Sequence, residues 1–81
     1  MTVYVLVRSD YVAFDIVSLL TDPMLSKRDA ALNADEFGSA LLPWNNDDGV
    51  EWPWAEAVHH GITMFRYQIE AHEVTGDLVP A

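Results

Sequence analysis

The chain has 81 residues, thirteen acidic side chains against four lysines and arginines, a formal net charge of −9 and no cysteine. A length like this suits one domain, spanning 1–81, that buries roughly 60–65% of its unfolded surface, and without cysteine neither disulfides nor thiolate metal sites reinforce it. The charge opposes anionic membranes and nucleic acid, because affinity for phosphates is built from Lys and Arg, so a charged partner is expected to be basic.

Thr2 to Arg8 is β-branched and aromatic and reads as a first strand. It has no basic flank followed by an apolar helix, and no apolar run approaches the roughly 18 residues of a membrane span. A cytoplasmic protein is expected. Ser9-Asp10-Tyr11 is a turn, and Val12 to Leu20 a second strand with Phe14, Ile16 and Leu20 on one face and Ala13, Val17 and Leu19 on the other. Asp22-Pro23 breaks that strand, and Ser26 followed by Asp29 resembles a capping box that opens a helix. Ala30, Ala34, Phe37 and Leu41 then form one stripe at helical spacing, with Leu32 on the opposite, charged face. Gly38 or Pro43 ends the helix. Pro43 to Trp54 reads as a long acidic loop holding all three tryptophans, and Pro53 to His60 as a short second helix stopped by Gly61. Ile62 to Val74 alternates apolar and polar residues with a period of two and is the third strand; Thr75-Gly76-Asp77 turns the chain out.

These elements predict an α+β fold of ββαβ type: a three-stranded antiparallel sheet in the order 2-1-3, with one main helix on one face. The first strand is apolar on both faces, Val3, Val5 and Val7 on one and Tyr4 and Leu6 on the other, and one helix covers only one. Each large side chain left in water forgoes about 1.5–3 kcal/mol. Either the tryptophan segment folds over the second face as core, or another protein or a second copy covers it.

Motifs for chemistry are weak. His59 and His60 are adjacent, which suits them poorly to one metal, and His72 sits beside Glu70 on the wet side of the last strand. Asn46-Asp47-Asp48-Gly49 suggests a calcium loop, but with Gly49 at its sixth position Trp44 and Ala55 occupy the first and twelfth, where acidic ligands are required. No glycine-rich oxyanion loop or strained turn frames Ser9 or Ser39. The paired acids Asp47/Asp48 and Asp35/Glu36 read as solvated faces. No metal, cofactor or catalytic residue is expected, and the chain reads as non-enzymatic.

The Val3-Tyr4-Val5-Leu6-Val7 strand, the Ser26-Lys27-Arg28-Asp29-Ala30 helix start and the closing strand from Tyr67 to Val74 together resemble small ββαβ proteins of unknown function from bacteria and their phages. The acidic tryptophan insertion departs from that pattern. Small acidic phage proteins of this kind include inhibitors of host or defence machinery, anti-CRISPR and anti-restriction proteins among them, so the resemblance implies an inhibitor acting as a nucleic-acid mimic.

From Asp29 to Phe65 the chain carries seven carboxylates, Asp29 included, and no Lys or Arg. Aromatic rings supply much of the binding energy at protein interfaces, and charge selects who approaches. The expected function is a protein-binding module that occludes a basic, nucleic-acid-binding surface of another protein. Trp44, Trp52 and Trp54 would anchor it while Asp47, Asp48, Glu51 and Glu56 orient it, with no direct contact to nucleic acid or membrane. The alternative is a homodimeric or larger structural or accessory protein that associates through its exposed sheet face, with Tyr4, Leu6 and Leu32 as the second set of interface residues.

Overall fold

The computed structural model of the protein describes residues 1–47, 49 and 51–74; Asp48 and the turn expected at Thr75-Gly76-Asp77 lie outside them. Strands β1 (Thr2–Ser9) and β2 (Phe14–Leu20) form a hairpin. In its turn, one Asp10 carboxylate oxygen accepts the Val12 and Ala13 amides at 2.8 and 2.9 Å. Those two bonds favour the charged carboxylate and hold Asp10 below its ordinary pKa.

Helix α1 (Pro23–Glu36) starts about one turn earlier than the Ser26 capping box suggests. Asp22 is the N-cap and accepts the Met24 amide at 2.9 Å, while Pro23 sits in the first turn, where its missing N–H leaves no bond unmade. Ser26 is instead fully buried and continues the Ala30 and Ala34 stripe at a spacing of four residues. The three small side chains let the helix lie close on the sheet. At the other end Ser39 N–H donates to Ala34 C=O and Gly38 N–H to Asp35 C=O, both at 2.9 Å, with Gly38 at φ 69°. This is the Schellman closure that glycine permits. Phe37 and Leu41 therefore lie beyond the helix rather than on its stripe.

Strands β3 (Ala40–Leu41), β4 (Trp54–His59) and β5 (Ile62–Glu73) complete one antiparallel sheet in the order β2-β1-β5-β4-β3. The expected three-stranded sheet in the order 2-1-3 is overturned. The segment from Pro53 to His60 is not a second helix but β4. Ala55 and Ala57 favour helix by intrinsic propensity, yet here they alternate with Trp54, Glu56 and Val58 and are buried, which only a strand achieves. His60 and Gly61, at φ 51° and 76°, form a two-residue turn joining β4 to β5, the doubly left-handed kind that matches strand twist.

Antiparallel partners share a face. Tyr4 with Ala71, Leu6 with Ile69 and Arg8 with Tyr67 look toward α1, as do Ala55 and Ala57 of β4. The fully or nearly fully buried core is Leu6, Ala30, Ala34, Ala57, Tyr67 and Ile69. Leu6 is therefore core rather than an interface candidate. Polar groups tie this core to the helix: Asn33 Oδ1 accepts from Tyr67 Oη at 2.7 Å and from Arg8 Nη1 at 2.9 Å. Arg8 also reaches Asp15 at 3.1 Å and lies over the Phe37 and Phe65 rings at 4.7 and 5.2 Å. Burial pushes the Tyr67 hydroxyl pKa up.

Candidate functional site

Among the described residues no helix lies on the opposite face of the sheet, and its two halves differ. One half comes from β1 and β2. Val5 pairs with Leu19, Val7 with Ile16 and Ser9 with Phe14, and Val3 continues the column. This arrangement depends on a bulge. The β1–β2 register shifts between Leu6 and Val7, which leaves Val17 unpaired and turns it inward against the core. Without the bulge Leu20 would join Phe14 and Ile16; with it Leu19 does, and Leu20 turns to the helix side. Phe14, Ile16 and Leu19 are 71%, 62% and 62% exposed. The hairpin tip adds the exposed side chains of Tyr11 and Val12. At about 1.5–3 kcal/mol for each large apolar side chain, this is free energy a small domain leaves ungathered.

The other half comes from β5 and β4, with Arg66, Gln68, Glu70 and His72 opposite Ser9, Val7, Val5 and Val3, and Trp54 and Glu56 opposite Gln68 and Arg66. Here the side chains cover one another. The Arg66 guanidinium lies over the Trp54 ring at 4.2 Å, and the Trp52 and His72 ring centres are 5.8 Å apart. Glu56 accepts the Thr63 hydroxyl at 2.7 Å, and Glu70 accepts the Gln68 amide at 2.9 Å and pairs with the His72 ring at 3.0 Å. Between them a shallow groove of about 350 Å³ is lined by Glu51, Trp52, Trp54, Arg66 and Gln68.

The three tryptophans are each half-buried and do not act as one cluster. Trp44 packs against the core on the helix side, with the Lys27 amine 5.9 Å from its ring centre. The loop is pinned at its base by the Asn45 and Trp54 backbones, which exchange hydrogen bonds at 2.8 and 3.2 Å. Trp52 stands at the end of the sheet and lines a second cleft of about 280 Å³ with Tyr4, Lys27, Asn46 and Ile69. That volume is below the ~300–1,000 Å³ usual for sites that enclose a small molecule.

Of the residues expected to bind a partner, the structure thus brings Trp52, Trp54, Glu51 and Glu56 to one side of the sheet or its end. Trp44 lies on the helix side. Asp47 is exposed in the loop, its amide donating to Asn45 Oδ1 at 3.2 Å. Tyr4 is half-buried under the helix side, and Leu32 is exposed on the helix. Sequence reasoning misses Phe14, Ile16 and Leu19 as one surface because of the bulge, and misses Arg66 and Gln68 because β4 is read as helix.

His59 and His60 form an edge-to-face pair 4.1 Å apart, and His59 Nδ1 is 2.8 Å from the Gly38 carbonyl, which fastens β4 to the helix end. Among the described residues no three His, Asp or Glu side chains converge as a metal cluster, and no helix is long and apolar enough to cross a membrane. Comparison with family models, curated proteins and solved structures finds no match to this chain.

Proposed function

We propose that the protein is a non-enzymatic binding module that docks on a basic surface of another protein through the tryptophan-bearing half of its open sheet face. The observation that carries this reading is the groove between Trp52 and Trp54, bordered by Glu51, with Glu56 and Glu70 on the same face. Trp and carboxylates together suit Arg and Lys, which pair with carboxylates and stack on indoles. Arg66 over Trp54 is an intramolecular instance of that contact, and a partner's arginine repeats it on the free area of Trp52. The net charge of −9 steers a basic partner toward the module and repels nucleic acid. Its effect on the partner is occlusion of the surface it covers, a nucleic-acid-binding surface being the natural basic target.

The test is affinity capture from the native host followed by titration of the captured protein. Binding should weaken as salt rises and fall by about tenfold or more for Trp52→Ala, the usual loss at an interface hot spot. Asp47→Lys should slow association with little change in dissociation. Affinity that ignores both salt and Trp52→Ala would overturn the reading.

A further inference from the structure

The apolar half of the open face is not used by that reading, and it differs from the rest of the surface in one respect. Among the described residues no charged side chain stands among Val3, Val5, Val7, Phe14, Ile16 and Leu19, although the chain carries thirteen acids. We infer that this half is the interface of a two-fold dimer, in which the β1–β2 half of one copy packs face to face on the same half of a second copy.

Three observations support a second copy. The first is area. Phe14, Ile16 and Leu19, 71%, 62% and 62% exposed, together expose on the order of 400 Å², taking ~150–250 Å² for a large side chain, and the half-buried Val3, Val5 and Val7 extend the patch between them and β5. A patch of that size equals the largest on a typical monomer, about 300–600 Å² and often functional, and is smaller than the about 800 Å² per partner of a standard interface, so the dimer it fits is a weak, concentration-dependent one.

The second is charge. Two copies at −9 each repel one another across surfaces that carry the acids, and the uncharged half-face is where they meet with the least repulsion. A two-fold contact places the same patch on both sides, so an apolar patch free of charge is complementary to itself.

The third is the form of the sheet edges. β3 at one edge has two residues, too few to template another strand. β2 at the other edge carries the Val17 bulge and, on its helix-side face, the charge of Asp15, 67% exposed although paired with Arg8. Bulges and charges are devices that prevent edge-to-edge pairing, and the bulge also breaks the face alternation that β2 would need to pair with its own copy. Packing across the face, with sheets about 10 Å apart, remains open to it.

Sedimentation equilibrium of the full chain from low micromolar to near-millimolar concentration, at low and high salt, tests this. The expected result is a monomer–dimer equilibrium that tightens as salt screens the like charges, the reverse of the salt response expected for a basic partner. Ile16→Lys and Leu19→Lys should each weaken the dimer by about tenfold or more. Circular dichroism and thermal unfolding measured on dilute samples should stay unchanged, because both side chains are exposed. A chain that stays monomeric at the highest concentration in high salt overturns the inference. So does a dimer indifferent to both lysine variants, and so does open-ended polymerisation, which would signal edge pairing. Each of those outcomes leaves the Trp52-dependent, salt-weakened binding of a basic partner to succeed or fail separately.

Discussion

The two halves of the open sheet face lie on adjoining strand pairs, yet one is finished by its own side chains and the other is not. On β4 and β5, Arg66 covers Trp54, His72 stands against Trp52, and Glu56 and Glu70 are held by hydrogen bonds. On β1 and β2 the same face offers the half-buried Val3, Val5 and Val7 and leaves Phe14, Ile16 and Leu19 exposed. Tertiary structure of one chain thus closes a polar, aromatic half through pairwise contacts, while the aliphatic half has no directional partner groups with which to close itself. The fold is complete on its helix side and unfinished on half of the other.

The largest effect that sharpens this contrast compares two leucines. Leu6→Ala, on the helix side, empties a fully buried site and should cost about 2–5 kcal/mol. Leu19→Ala should change dilute-solution stability by no more than about 0.5 kcal/mol. Denaturant unfolding of both variants at low concentration measures the difference, and equal losses would mean that Leu19 is covered within the single chain. Next in size is a comparison across the open face itself. Trp54→Ala removes a half-buried indole and its guanidinium contact and should cost about 1–2 kcal/mol, whereas Ile16→Ala should again cost about 0.5 kcal/mol or less. Similar values for the two would erase the distinction between the closed and the open half.

A smaller effect concerns the helix side, whose polar anchor has no counterpart on the open face. Tyr67→Phe removes one of the two donors to Asn33 Oδ1 and should cost about 1 kcal/mol. Burial raises the Tyr67 pKa in the folded chain, so its neutral form is favoured there. The associated stability is complete below the ordinary tyrosine range and is lost as the pH rises through the folded-state value. Unfolding curves for the native chain should therefore weaken at alkaline pH beyond those of Tyr67→Phe, and parallel pH profiles would contradict the assignment.

The parts of the fold legible in the sequence are those where pattern and propensity agree. β1 is a run of β-branched and aromatic residues, β5 alternates over a long run, and the Ala30–Ala34 stripe marks the buried side of α1. The N-cap is misplaced because Ser26 and Asp29 imitate a capping box, while the operative signal is Asp22 followed by Pro23. β4 is hidden because Ala55, Glu56 and Ala57 favour helix locally, and burial of the two alanines against the sheet's own helix side is a tertiary fact. β3 is too short to have a pattern. The bulge at Val17 matters most for the site, since one unpaired residue moves Leu19 to the open face and Leu20 off it. No single-residue feature of Phe14 to Leu20 announces it. For the candidate site, the aromatic and acidic character of 44–56 is readable, but its split between the helix side, at Trp44, and the open face, at Trp54, follows from β4 being a strand.

Methyl NMR with a soluble paramagnetic agent gives the most direct test of the unfinished half-face. In dilute solution the Ile16 and Leu19 methyls should relax strongly while those of Leu6 and Ile69 stay protected. On concentration in high salt the first pair should become protected and the second remain unchanged. Ile16 and Leu19 methyls already protected in the dilute monomer would contradict the account, as would methyls still fully accessible in the concentrated sample.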